Sequence, residues 1–415
     1  MEREEPWSLS TEEMSQTDRA FQIFTKPVGA ACNLRCSYCY YLSRKELYPE
    51  EPFPRMKEAL LEAYIRQHME ATTGDTVFFS WHGGEPTLAG LAFYRQAVAL
   101  QKRVLPQGKR VLNGIQTNGT LLDEKWCRFL AAEHFLVGIS LDGPGKLHDA
   151  HRKTASSQNS FEATMKGFHL LQKYGITTEI LCVINALNVN YPLEVYHFFK
   201  GLGARYITFL PLVEEVPAPP GNGPFTPEEP FEFPRTKKTS PTSPPVSAAS
   251  VPPLAFGHFL VTIFDEWAEE DIGKVTIQLF EEALRTAFDN EHTLCIFKPE
   301  CGGVPVVEHN GDFYCCDHFV DPAHRLGNLR EHPLSFYLDA PRQKAFGAAK
   351  SLTLPRYCRD CPVVGMCNGE CPKNRFITTP DGEPGLNYLC EGYQFFFSHC
   401  LPLVSALKEM KDEGI

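Results

Sequence analysis

The chain has 415 residues, 43% of them apolar, and a formal net charge of −11. That length provides for one large domain or two smaller ones with a sizeable core, and the negative charge argues against a nucleic-acid-binding surface. The acidic start "MEREEPWSLSTEEMSQTD" lacks the basic and apolar regions of a signal peptide, and no apolar run approaches the ~20 residues of a membrane span. The expected address is therefore the cytoplasm, with neither a membrane nor a nucleic acid as partner. In that reducing compartment, fifteen cysteines are better explained by metal or cluster ligation than by disulfides.

From Phe21 the pattern alternates short apolar runs with longer amphipathic ones. "FQIFTKPV" reads as a strand, "RMKEALLEAYIRQHME" as a helix, and "TVFFSWHGG" as a strand entering a glycine turn. "LAFYRQAVALQKRV" is helical, "KRVLNGIQTNG" extended and "DEKWCRFLAAE" helical. Then come the strand "FLVGISLDG", the helix "SFEATMKGFHLLQKYG", the strand "TTEILCVIN", the helix "YPLEVYHFFKGLG" and a sixth strand, "YITFLPLV". Six such alternations predict parallel strands with right-handed crossovers. They fall short of the eight of a closed barrel, so a partial barrel and an open doubly wound sheet both fit. In either, ligands gather at the C-terminal ends of the strands, where the cysteines of "CNLRCSYC", then "HGGEP", "QTNG" and "SLDGP", all fall.

Twelve prolines lie between Val216 and Pro253, which predicts an extended, poorly ordered insertion. A helix resumes at "FGHFLVTIFDEWAEE". From Cys295 onward the sequence is cysteine-dense and short on periodicity, as in regions held together by metal. Within it "VEHNGDFYCCDHFV" predicts a hairpin with Asn-Gly at its turn. Asp312 there reads as a turn former, and Cys127, Cys182 and Cys400 read as buried fillers.

Cys32, Cys36 and Cys39 form a C-x3-C-x2-C triplet directly after the first strand. Three thiolates can hold three irons of a 4Fe–4S cluster, whereas the usual cluster takes four cysteines; the fourth iron would then be open to a substrate or cofactor. Zinc with a distant fourth ligand is the alternative. "CNLRCSYCY" resembles the cluster motif of the radical S-adenosylmethionine enzymes. That resemblance implies a partial (β/α)6 TIM-like barrel and an open iron chelated by S-adenosylmethionine. It also implies reductive cleavage of the cofactor to a 5′-deoxyadenosyl radical.

The same resemblance assigns cofactor-binding roles to Gly83, Gly84 and Glu85 of "GGEP", to Ser140 and Asp142 of "SLDGP", and to Tyr40 and Leu212 beside the adenine. The C-terminal pattern resembles the SPASM domain. By it, one auxiliary 4Fe–4S cluster takes Cys295, Cys301, Cys316 and Cys371, and another takes Cys358, Cys361, Cys367 and Cys390, giving three clusters in all. Cys315, beside Cys316, competes as a ligand; the family pattern favours Cys316, which directly precedes the aspartate. Among SPASM proteins the resemblance is to anaerobic sulfatase-maturating enzymes, carried by "CNLRCSYCYY", "HGGEPTLAG", "QTNGTLLD", "SLDGP…HDAHR", "ILCVIN" and "GDFYCCDHFV…LGNL". It implies oxidation of a peptidyl cysteine or serine of a sulfatase to Cα-formylglycine, with Asp317 as the base; beside these, Tyr41 at the barrel rim is a candidate substrate-positioning group and His318 the next candidate base. A reduced flavodoxin or ferredoxin would donate electrons. His82, where the family commonly has glutamine, and the long insertion depart from the pattern. Other SPASM maturases that form thioether or carbon–carbon crosslinks, and a non-catalytic iron–sulfur electron carrier, are the alternatives. The expected division is a barrel over 15–215, a disordered insertion over 216–253, a helical connector over 254–290 and the auxiliary-cluster domain over 291–400.

Overall fold

The computed structural model describes residues 16–17, 19–51, 53–216 and 246–413. Strands β1 (Phe24–Thr25), β2 (Thr76–Trp81), β3 (Arg110–Thr117), β4 (Leu136–Ser140), β5 (Thr178–Ile184) and β6 (Tyr206–Pro211) lie side by side in chain order, all parallel. Their crossovers run through α1 (Glu58–Ala71), α2 (Leu91–Val104), α3 (Glu124–Ala132), α4 (Gly145–Asp149), α5 (Phe161–Lys173) and α6 (Pro192–Gly201). This is the partial (β/α)6 barrel of an α/β protein. The local reasons are ordinary ones. In β2, Val77, Phe79 and Trp81 alternate into the core with no exposed surface. Asp123 caps α3 by accepting a hydrogen bond from the Trp126 N–H at 2.8 Å.

The sheet does not stop at six strands. After α7 (Pro253–Glu270), strand β7 (Thr276–Ile277) pairs with β6 and leads into α8 (Gln278–Arg285). On the opposite edge β8 (Val306–Val307) pairs in parallel with β1, and β9 (Asp312–Tyr314) and β10 (Arg325–Asn328) continue antiparallel, for ten strands. The cysteine-rich region thus extends the barrel sheet, which brings the chain after β9 beside the chain after β1. Beyond it lie α9 (Leu334–Asp339), α10 (Pro341–Leu352), α11 (Arg356–Arg359) and α12 (Val364–Cys367). The hairpin of β11 (Ile377–Thr378) and β12 (Pro384–Leu386) follows, and then α13 (Cys390–Asp412). Helices α7 and α13 meet at Gly257 and Gly392, where a Cβ on Gly392 would stand 2.1 Å from the Pro253 carbonyl.

Four differences from the sequence reading have physical causes. The first strand is shorter than "FQIFTKPV", because Pro27 has no N–H to continue the ladder; backbone bonds from Gln22, Phe24 and Lys26 to residues 303–307 carry the pairing that exists. The end of the proline-rich stretch is built into the fold. Val246 bridges Glu215, the Val251 N–H donates to the Leu212 carbonyl at 2.9 Å, and the Val251 side chain is fully buried. Residues 217–245, the bulk of the predicted insertion, lie outside the described residues. Helix α13 runs past residue 400 to Asp412 despite Pro402. Asp312 is more than a turn former: it opens β9 and ion-pairs Arg325 at 2.6 Å, and it accepts from Asn328 and Tyr48.

Candidate active site

The cysteine loop is held by its neighbours on both sides. The Arg35 and Ser37 N–H groups donate to the Lys153 and His151 carbonyls, and the Gly84 and Glu85 N–H groups donate to Gly29 and Ala31. A Cβ at Gly84 would lie 2.2 Å from the Ala31 carbonyl oxygen, and Gly83 has φ of +133°. The close approach this glycine pair permits is therefore first to the chain's own cysteine loop. Glu85 is fully buried, and its carboxylate accepts from the Thr87 N–H and hydroxyl, the Thr117 hydroxyl and the Asn118 N–H. It clamps the "GGEP" turn to the end of β3. Asn118 also reaches Cys32 Sγ at 3.8 Å. Ser140 Oγ accepts from Gln116, and Leu212, buried, is fixed at the end of β6 by backbone bonds to Ile184 and Val251.

Asp142, which the resemblance places among the cofactor-binding residues, is engaged by the chain's own donors. It is fully buried, takes Arg152 Nε and a terminal nitrogen at 2.9 and 3.1 Å, and accepts from the Val183 N–H and the Tyr38 hydroxyl. Each of its oxygens thus has two donors from the chain itself. Burial pushes its carboxyl up, but the Arg152 guanidinium outweighs that and holds it below the usual range. The sequence reading gave neither Arg152 nor Tyr38 a role, although "HDAHR" and the aromatic before the third cysteine were both visible.

The hydroxyls of Tyr40 and Tyr41 are both engaged by carboxylates. The Tyr40 hydroxyl donates to Asp317 Oδ2 at 2.5 Å, so its polar end is committed to the candidate base. The Tyr41 hydroxyl donates to Glu308, whose other oxygen meets His309 Nδ1 at 3.0 Å; His309 Nε2 meets Glu51 at 2.8 Å. Tyr41, 3% exposed, is a core residue whose only polar group is already engaged. Lys26, missed from the sequence, ion-pairs Asp317 Oδ1 at 2.5 Å and lies over the Tyr41 ring. Its only sequence signal was a lysine at the end of an apolar strand. Burial raises Asp317, but the Lys26 ammonium prevails and holds it at about 2, so the carboxylate is ionised. His82 stacks on Phe24 at 3.8 Å, bonds Ser80 Oγ, and is kept neutral by burial, its pKa lowered to about 3. Burial likewise lowers His318, to about 4.

The C-terminal cysteines sort into two sets. Cys316 is within electrostatic reach of Cys371, Cys295 and Cys301, whereas Cys315, fully buried, faces Arg342 and Asp321. Cys358, Cys361, Cys367 and Cys390 line one cavity with Tyr357, Val363 and Gln394. Cys127, Cys182 and Cys400 are fully buried apart from these sets. Burial pushes Cys32, Cys367 and Cys390 up to about 12, so these thiols would lose their protons only to a metal.

A partial barrel with an open cysteine triplet on its rim, extended by a cysteine-rich lobe, defines a radical S-adenosylmethionine enzyme with a SPASM domain. Residues 27–199 match the Radical SAM superfamily, and residues 301–362 match an iron-sulfur cluster-binding domain of the SPASM type. A serine-type anaerobic sulfatase-maturating enzyme of Bacteroides thetaiotaomicron is 42% identical over 93% of this chain and 91% of its own. A cysteine-type enzyme of Clostridium perfringens is 29% identical over 94% and 99%. The solved structure of native anSMEcpe with bound AdoMet and Cp18Cys peptide superposes with a TM-score of 0.79 at 27% identity, covering 94% of this chain and 99% of that one. The chain belongs to the anaerobic sulfatase-maturating enzyme family.

Proposed function

We propose that the protein oxidises a peptidyl serine or cysteine of a sulfatase to Cα-formylglycine, with serine the preferred target. The preference rests on the relatives: two of serine type are 42% and 35% identical, whereas those of cysteine type are 28–29% identical. The observation that carries the reading is the contact between Tyr40, next to Cys39, and Asp317, next to Cys316. One ionised carboxylate thereby sits between the cysteine triplet and an auxiliary cysteine set. When bound, the triplet's cluster and S-adenosylmethionine supply the one-electron chemistry that removes a Cβ hydrogen.

The protein's own residues do the rest. Cys32, Cys36 and Cys39 hold the cluster, and Gly83, Gly84, Ser140 and Leu212 line the rim where the cofactor lies. Asp142 acts indirectly, by fixing Arg152 and Tyr38. Asp317 takes the hydroxyl or thiol proton, and Lys26 and Tyr40 hold its two oxygens in place. The sets Cys295, Cys301, Cys316, Cys371 and Cys358, Cys361, Cys367, Cys390 hold two further clusters as electron acceptors. A reduced flavodoxin or ferredoxin supplies the first electron, and the work is done in the cytoplasm; no helix of the described residues is long and apolar enough to cross a membrane.

The test is anaerobic incubation of the reconstituted enzyme with matched serine and cysteine sulfatase peptides, followed by mass spectrometry. A hydrazine-reactive aldehyde, formed faster from serine, is expected. Cofactor cleavage with a crosslinked product, or with no aldehyde from either peptide, would overturn the reading.

A further inference from the structure

The two auxiliary cysteine sets are joined by a three-residue link, Asn368, Gly369 and Glu370, between Cys367 of one and Cys371 of the other. All three link residues have left-handed backbone, with φ of +47°, +68° and +51°. Such a run is unfavourable for residues that carry a Cβ, so something must hold it. Arg375, 7% exposed, does so with its guanidinium. Its Nε donates to the Gly369 carbonyl at 2.8 Å, and one terminal nitrogen donates to the carbonyls of Asn368 at 2.8 Å and Glu370 at 3.3 Å. The other donates to the Lys350 carbonyl at 2.6 Å. A Cβ on Gly369 would lie 2.5 Å from that guanidinium. Lys350 is itself fully buried, and its ammonium donates to the Ile296 and Cys295 carbonyls at 2.6 and 3.2 Å.

Among the described residues neither cation forms an ion pair; every partner they have is a neutral carbonyl. The nearby Glu370 carboxylate is held by Asn374 and Asn387. Two buried, unpaired cations are costly unless an anion is present. The Glu370 carboxylate acts on Lys350, and with the clusters bound the ligand thiolates are the further anions within reach: Cys301, Cys358, Cys371 and Cys367 for Arg375, and Cys301, Cys371 and Cys295 for Lys350. A cluster bound by four thiolates is net negative and gains one more electron on reduction, and its surroundings set its potential. A fixed positive charge in a low-dielectric site favours the reduced form.

We propose that Arg375 and Lys350 are positioning residues that raise the reduction potential of the auxiliary clusters, Arg375 acting on both and Lys350 on the one held by Cys295, Cys301, Cys316 and Cys371. This rests on the reading of those sets as electron acceptors. It concerns a potential alone, and no bond is made or broken.

The test is a redox titration of the reconstituted protein, followed by electron paramagnetic resonance, on Arg375→Gln, Arg375→Lys and Lys350→Gln. The glutamine variants keep N–H donors and lose the charge. Iron content and thermal unfolding report whether the sites are intact. In Arg375→Gln both auxiliary midpoints should move negative by enough to cut the reduced-to-oxidised ratio about tenfold at a fixed potential, about 59 mV for a one-electron couple. Arg375→Lys should restore most of that. Lys350→Gln should move only the first cluster. Unchanged midpoints in a variant that keeps its iron would overturn the proposal, as would loss of iron from both glutamine variants, which would make the cations purely structural. If only Arg375→Gln loses iron, the Lys350→Gln midpoint decides. Because no peptide is present, a failure here leaves the proposed reaction standing, and normal potentials with no formylglycine would fail only that reading.

Discussion

Replacing Asp142 by asparagine should strand the Arg152 guanidinium, which is 8% exposed and bonds that carboxylate twice, at 2.9 and 3.1 Å. Breaking one side of a buried pair costs about 3–5 kcal/mol, because the remaining charge stays desolvated and unpaired. Unfolding entropy of about 2.1 cal/mol/K per residue, scaled to this chain, converts that to a fall in Tm of roughly 3–6 °C. Removing both charges in Asp142→Asn with Arg152→Met should recover most of the loss, since a buried pair and an apolar replacement are near parity. Thermal unfolding of the three variants measures this. The pH dependence has a definite sign. The folded-state carboxyl lies below its usual value. Its stabilisation is therefore complete above the unfolded pKa of about 3.9 and is lost as pH falls through the folded value. The gap between wild type and Asp142→Asn should be full at pH 6 and close progressively below pH 4. A single variant within 1 °C of wild type, or a double variant whose loss is the sum of the two singles, would refute the view that these two buried charges depend on each other.

Asp317→Asn should retain iron and cofactor cleavage yet form formylglycine at least tenfold more slowly, as expected for loss of a general base; near-normal aldehyde by mass spectrometry would remove it from the mechanism. Lys26→Met leaves Asp317 buried beside Tyr40 without its cation, so it should lower stability by about 3–5 kcal/mol; denaturant unfolding reads this, and a loss under 1 kcal/mol would contradict the pairing. Cys36→Ala should abolish cofactor cleavage while the iron of both auxiliary sets persists by metal analysis; 5′-deoxyadenosine from that variant would show that the triplet is not the site. Replacing residues 217–245 with a short Gly/Ser linker, keeping the paired 246–253, should leave turnover of short peptides nearly intact, because lengthening or shortening a loop changes its closure entropy only slowly.

The barrel was legible because each crossover unit declares itself locally. Period-two runs such as "TVFFSW" and helical runs such as "LAFYRQAVALQKRV" coincide with β2 and α2, and spacing alone placed the cysteine triplet after the first strand. Cysteine spacing could not say which thiols share a site. That depends on how the link 368–370 turns and on β9 joining the barrel edge, where Cys316 and Cys315 meet different neighbours. The partners of each polar side chain were equally hidden. Lys26 and Asp317 are nearly three hundred residues apart, as are Tyr41 and Glu308, and only the pairing of β8 with β1 brings them together. The sequence by itself determined where backbone periodicity and thiolate chemistry fall along the chain, since both are local. Which donors each buried carboxylate takes was decided by tertiary structure alone, because a buried charge takes the partner that packing brings to it.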